Sequence, residues 1–289
     1  MKISRRDTLR TLVGSAALST LSLPVHLSAA PKGAGLKGRV NHSVCRWCYN
    51  DIPMETFCKR VYQMGLRGMD LLGPDQWEVA GQYGLKCAMA EGAGLGITRG
   101  FNDPDLHTEL IESYQRIFPQ LKAAGINQVI CFSGNRNGRS DEEGLDHCTR
   151  GLKMLIPMAE KYGVTLVMEL LNSKVDHKDY QCDHTAWGVE LCRRIDSDHF
   201  KLLYDIYHMQ IMEGDVIATI QKYHPYIAHY HTGGVPGRNE INTQQELYYP
   251  AIVRAILETG FKGYIAQEFI PTATDKLASL KTCVEICDV

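Results

Sequence analysis

The chain has 289 residues, 44% hydrophobic and 22% charged, with a formal net charge of −2. That length and apolar share suffice for a large domain with a sizeable core, and they exclude disorder, collagen and coiled-coil compositions. Lysine plus arginine (31) nearly balances aspartate plus glutamate (33) with no long basic run, which disfavours nucleic acid or an anionic membrane as partner.

In chain order, the first thirty residues read as an address. Ser4-Arg5-Arg6-Asp7-Thr8-Leu9-Arg10 has the twin-arginine pattern, followed by a weakly apolar run from Thr11 to Leu23 and by the small residues Ser28-Ala29-Ala30. Residues 1–30 are therefore expected to be a Tat-type signal peptide and 31–289 the working domain, periplasmic or otherwise exported. The run is too short, and too rich in Ser, Thr and Gly, to span a bilayer, so no membrane association is expected after cleavage. An ordinary Sec signal or an uncleaved anchor is the alternative, because Thr8 replaces the bulky apolar residue usual at that place. All ten cysteines lie beyond this segment. A Tat substrate folds in the reducing cytoplasm, and Cys87 and Cys131 sit in apolar strand-like runs, which argues against a disulfide framework. Cys45 and Cys48 have C-x-x-C spacing without the second pair that a structural zinc site needs.

Beyond residue 30, short runs rich in Val, Ile, Leu and Met alternate with longer amphipathic stretches. Strands are expected at 39–45, 68–72, 86–90, 128–132, 165–170, 201–204, 227–231 and 264–269. Between them the pattern predicts helices at 54–64, 74–82, 104–124, 144–161, 184–194, 215–222 and 249–257, and a last one at 276–286. Gly65, Gly84, Gly125, Gly163 and Gly260 follow helical runs and suit the left-handed C-terminal cap. Asn102-Asp103-Pro104 reads as an N-terminal cap followed by proline in the first turn. Eight strand–helix units without hairpin signals predict a single (β/α)8 barrel, whose active site lies at the C-terminal ends of the strands. An open doubly wound sheet is the alternative, although no G-x-G-x-x-G follows the first strand.

Four consecutive strands end on chemistry. Strand five runs into Glu169, strand six into Asp205, strand seven into His231 and strand eight into Glu268. Buried together, three carboxylates would repel and desolvate one another unless a divalent cation balanced them. The mostly oxygen ligand set suits Mn²⁺ or Mg²⁺, while the imidazole also admits Co²⁺ or Zn²⁺. His177, His184, Trp47, Tyr49, Glu91, Asn135, Arg136 and Arg139 lie on neighbouring loops as weaker pocket candidates.

These residues carry a resemblance. V-M-E-L-L-N around Glu169, Y-D-I-Y-H-M-Q from Tyr204, H-Y-H-T-G-G-V-P-G-R-N-E from His229 and A-Q-E-F around Glu268 resemble the xylose isomerase-like barrels, and within them the hydroxypyruvate isomerase family. The resemblance covers most of the chain beyond residue 30 and implies that Glu169, Asp205, His231 and Glu268 hold one divalent metal. It also implies that Glu169 and Glu268 move the substrate proton, and that His208 and Arg238 bind substrate oxygens. Two departures stand out: hydroxypyruvate isomerases carry Gln where this chain has His231, as ketose epimerases do not, and the chain reads Phe269-Ile270-Pro271 where a lysine follows the last glutamate. The expected function is metal-dependent isomerisation of a small hydroxy-carbonyl compound, with a keto-sugar epimerase or a lyase of sugar derivatives as alternatives. A homo-oligomer is possible; the expected partner is a small molecule.

Overall fold

The computed structural model describes residues 35–92 and 94–289; the expected signal peptide, residues 1–30, lies outside the described residues. Eight strands form: β1 (Asn41–Val44), β2 (Gly68–Leu72), β3 (Lys86–Ala90), β4 (Gln128–Cys131), β5 (Thr165–Glu169), β6 (Phe200–Asp205), β7 (Ile227–Thr232) and β8 (Tyr264–Gln267). Each pairs in parallel with its neighbour in the order β1-β8-β7-β6-β5-β4-β3-β2, and a parallel bridge from Cys45 to Asp70 joins the two ends into a barrel. The intervening helices are α1 (Met54–Gln63), α2 (Pro74–Gln82), α3 (His107–Ala124), α4 (Asp141–Lys153), α5 (Ile156–Tyr162), α6 (Thr185–Ile195), α7 (Ile206–Met212), α8 (Val216–Tyr223), α9 (Tyr249–Glu258) and α10 (Lys276–Cys287). No described helix is long and apolar enough to cross a membrane.

The expected (β/α)8 architecture is the observed one, and all five capping glycines adopt positive φ, from 65° at Gly163 to 101° at Gly65. Two stretches depart from expectation. The helix expected over 144–161 is two helices, because Pro157 has no N–H to give the Lys153 carbonyl, and the chain breaks after Lys153. Its start lies earlier, at Asp141, because Ser140 and Glu143 form a reciprocal cap: Glu143 N–H donates to Ser140 Oγ (3.2 Å) and Ser140 N–H to Glu143 Oε2 (2.8 Å). The short α7 was not expected. It begins directly after β6, capped by the Asp205 carboxylate, which accepts the His208 N–H at 3.1 Å.

Inside the barrel, Met89, Ile130, Val167 and Leu203 from β3 to β6 make a buried layer, with Leu71, Phe132 and Ala228 packed against it. A much larger apolar shell lies between the strands and the helices. Burial of such side chains contributes about 1.5–3 kcal/mol each, so the inner layer is a rigid floor for whatever stands above it. All ten cysteines are free thiols.

Candidate metal and catalytic centre

Strand alternation carries one set of side chains inward at the C-terminal ends of β5 to β8. Val167 and Leu203 belong to the inner layer, so Glu169 and Asp205, two residues on, project into the space above it. Asp205 stands in register with His231 across the β6–β7 ladder, and Glu268 follows the end of β8, anchored by its N–H to the Thr232 carbonyl (3.0 Å). The ligating atoms of Glu169, Asp205, His231 and Glu268 all lie within 4.8 Å of one another, and all four residues are buried. The structure therefore brings together the four residues singled out in the sequence.

Their electrostatics are uneven. Burial pushes the Glu169 carboxyl up, and the nearby Glu268 charge adds to it. Burial likewise pushes Asp205 up to about 8, although Arg238 opposes the rise. For Glu268, burial is outweighed by His231, Arg238 and hydrogen bonds from His231 and Trp47, which hold it well below the usual carboxylate range. His231 Nδ1 sits 2.8 Å from Glu268 Oε2 and 3.3 Å from Glu169 Oε1. Burial disfavours charge on His231, but the surrounding Cys45, Glu268 and Asp70 raise its pKa well above the usual histidine range.

Several buried polar atoms here have no hydrogen-bond partner among the described residues: Glu169 Oε1, Asp205 Oδ2 and His208 Nε2. Such orphans are costly in a closed interior, and a cation at the centre of the cluster would satisfy the two carboxylate oxygens. The donor set thus fits a divalent metal ion.

His208 packs on Asp205, with Nε2 3.7 Å from Asp205 Oδ2, and Asn172 Nδ2 lies 2.7 Å from its Nδ1. Burial, with Arg238 and His177 nearby, holds its pKa well below the usual range, so it stands neutral. Arg238, in a left-handed conformation (φ 58°), turns inward: its guanidinium donates to Glu268 Oε2 at 2.7 Å and lies 3.5 Å from Asp205 Oδ2. The rings of Trp47 and Tyr207 flank it at 5.3 and 5.6 Å. Both expected substrate-binding residues therefore border the cluster.

The weaker candidates divide. Trp47 donates its indole N–H to Glu268 Oε1 (2.8 Å), and His177 stands edge-on to His208 at 5.2 Å between centroids. Tyr49 is instead buried against Phe57. Arg136 pairs with Asp141 and Asp183, and Arg139 with Asp103, so neither presents a free cation to an anionic substrate. His184 pairs with Asp183 and is half exposed.

Asp70 is the functional candidate that the sequence reading missed. Its Oδ2 lies 3.2 Å from His231 Nε2 and also contacts His229 Nε2, while Ser43 Oγ donates to its other oxygen. A carboxylate only accepts, so Asp70 takes the Nε2 proton of His231; with a cation in the cluster, Nδ1 would give up the proton it shares with Glu268 and offer its lone pair instead. The signal was an acid inside an apolar strand, Met69-Asp70-Leu71, together with His229 two residues before His231 and so on the same strand face.

A barrel whose strand ends converge on three carboxylates and an imidazole defines a metal-competent enzyme of the (β/α)8 class. The chain belongs to the xylose isomerase-like TIM barrel family, whose model matches residues 75–283. It is similar to a human protein whose hydroxypyruvate isomerase name is provisional, 27% identical over 250 residues, covering 85% of this chain and 84% of that one. The hydroxypyruvate isomerase of Escherichia coli (strain K12) is 27% identical over 154 residues, 53% of this chain and 59% of that enzyme. For several other relatives the match spans about half of their length. Among solved structures, the apo 3-keto-D-glucoside 4-epimerase of E. coli superposes with a TM-score of 0.72 at 18% identity, over 86% of this chain and 98% of that one.

Proposed function

We propose that the protein is a divalent-metal-dependent isomerase that moves a proton between adjacent carbons of a small hydroxy-carbonyl compound, on the pattern of hydroxypyruvate to tartronate semialdehyde. The observation that carries this reading is the pair of buried glutamates, Glu169 and Glu268, held in unequal environments around one point. Glu169, Asp205, His231 and Glu268 would hold the ion, Mn²⁺ or Mg²⁺ before Co²⁺ or Zn²⁺. Bound there, it would draw electron density from a carbonyl and its neighbouring hydroxyl and so acidify the C–H between them.

The chain's own groups then divide the work. Glu169, the less tightly held of the two and pushed up by burial, is the better proton acceptor and takes the C3 proton. Glu268, ionised and tied to Arg238 and Trp47, takes the proton of the C3 hydroxyl and passes it to the C2 oxygen, while Glu169 returns to C2 the proton it took from C3, so the product is an isomer. Arg238 and the neutral His208 orient the substrate oxygens from one side. A keto-sugar epimerase is the second reading, favoured by His231 in place of the glutamine of hydroxypyruvate isomerases.

Proton exchange in D₂O, followed by NMR on metal-loaded protein with hydroxypyruvate and a panel of ketoses, tests this. Deuterium at a carbon beside a carbonyl without loss of mass from the skeleton is expected. Release of water or a glycosidic group instead would make the protein a lyase. We also propose that residues 1–30 direct export; fractionation of cells expressing the full chain should find it in the periplasm, and a cytoplasmic product carrying an intact N-terminus would refute this.

A further inference from the structure

Asn172 lies three residues after Glu169, where β5 has given way to the loop that leads to α6, and it is fully buried. Its amide is held at both ends. Oδ1 accepts the backbone N–H groups of Val175 (3.0 Å) and Asp176 (2.9 Å), so the loop turns back over it. The NH₂ group faces the other way, giving one N–H to Asp176 Oδ2 (2.6 Å) and the other to His208 Nδ1 (2.7 Å). Tyr207 secures the same Asp176 oxygen with its hydroxyl, at 2.8 Å.

These bonds fix which nitrogen of His208 carries the proton. Turning the amide over would set its NH₂ against two backbone donors and lose both bonds, and turning the imidazole over would bring a ring carbon to the amide. An amide NH₂ only donates, so His208 Nδ1 must receive with its lone pair. The Asp176 carboxylate, at 4.0 Å, is too far to take a proton from that nitrogen. The ring's proton therefore sits on Nε2, and the imidazole is neutral.

Nε2 borders the charged cluster. It is buried without a hydrogen-bond partner among the described residues, and Asp205 Oδ2, likewise without one, is 3.7 Å away, beyond hydrogen-bond length. An N–H that the fold aims at the reacting centre and leaves unspent is costly unless something else accepts it. A developing oxyanion is such an acceptor, and a donor already in place needs no reorganisation when the charge appears. A neutral imidazole also holds its N–H far more firmly than an imidazolium does, so it polarises an oxygen without protonating it.

We propose that Asn172 is a positioning residue that fixes His208 as a neutral Nε2–H donor, and that this N–H is spent on the substrate oxygen that gains negative charge as the C–H proton leaves. The use of the N–H rests on the isomerase reading; the position of the proton does not.

The test uses Mg²⁺-loaded protein with ¹⁵N-labelled histidine rings, the His208 signals being assigned with His208→Gln. The parent is expected to show a protonated Nε2 and a bare Nδ1. Asn172→Asp keeps an acceptor for the Val175 and Asp176 N–H groups and turns the donor facing His208 into a second acceptor. At about pH 8.5, where an imidazole is neutral, it should move the proton to Nδ1, lower kcat about a hundredfold and leave KM within about threefold. Glycolohydroxamate, a mimic of the enediolate, should bind that variant at least about tenfold more weakly in calorimetry. If the variant does not fold, Asn172→Asp combined with Asp176→Asn keeps one amide and one carboxylate in the pair and carries the same expectations. A bare Nε2 in the parent, a proton that the variant does not move, or a moved proton with kcat and mimic affinity unchanged overturns the proposal. A moved proton and a weakened mimic, with no exchange into any substrate, keep it and sink the isomerase. Exchange into hydroxypyruvate that Asn172→Asp leaves untouched does the reverse.

Discussion

The two halves of the barrel mouth are built on the same strand–helix plan and differ in almost every other respect. Around β5 to β8, acids and imidazoles are packed against one another, buried, and shifted from their ordinary acidities. Around β2 to β4, the same height of the barrel carries leucine, isoleucine and phenylalanine about a roomy hollow. The difference teaches a division of labour: one half costs stability to concentrate charge, the other spends none and shapes space.

Breaking the charged half should have the largest effect. Glu169→Gln and Glu268→Gln are each expected to lower kcat by about 10³-fold while calorimetry still detects Mn²⁺, because an amide keeps an oxygen but cannot carry the proton. A variant that turns over like the parent would refute the two-glutamate scheme. Next in size is the floor common to both halves. Leu203→Ala should cost about 2–5 kcal/mol in urea unfolding, as a cavity opens in the inner layer. A cost near zero would mean that this layer collapses around the gap.

Asp70 ties the two halves together, and its effect should be intermediate. Asp70→Asn is expected to weaken Mn²⁺ binding about 10–100-fold by loosening the orientation and tautomer of His231, with the calorimetric stoichiometry kept at one. Unchanged affinity would reduce Asp70 to a packing residue.

The smallest effect is on pH. Without a cation, Asp205 at about 8, and Glu169 and His231, also raised, hold a proton more firmly in the folded than in the unfolded chain. Their stabilisation is full below the ordinary values and is lost as pH rises through the folded ones. Glu268, held low, acts oppositely only at acid pH below the usual carboxylate range, and His208, also held low, opposes the fall up to about pH 6.5. Chelator-treated protein should therefore lose Tm by a few degrees as pH rises from about 6.5 to about 8. Asp205→Asn should flatten that slope, and Mn²⁺ should oppose it. A slope that Asp205→Asn leaves intact would assign it elsewhere.

Much of the charged half could be read from the sequence, because its residues obey the alternation of their strands. Glu169 lies two residues after Val167 and Asp205 two after Leu203, and each ends an apolar run where barrel chemistry sits. The glycine caps were legible for a similar reason, since a helix that ends in the left-handed region has few other residues to use. Asp70 and Leu71 were not, because a bulge and a positive φ place them, and neither leaves a mark on hydrophobic periodicity. Trp47 was named as a possible wall, but its bond to Glu268 joins residues 221 positions apart, which only the closed barrel brings together. The division of 144–161 into α4 and α5 was legible in Pro157 and was overlooked in favour of the amphipathic pattern.

The pairing of β1 with β8, Asn41 against Tyr264, has a consequence in time. A ribosome finishes β1 long before β8 exists, so the first strand waits for its partner while β2 to β7 are made. Glu268 follows that last strand and is the last of the four clustered residues to be made. The nascent chain can neither close its barrel nor assemble the full ligand cluster until β8 and Glu268 emerge, so a copy that stops short of them cannot be a partly working one.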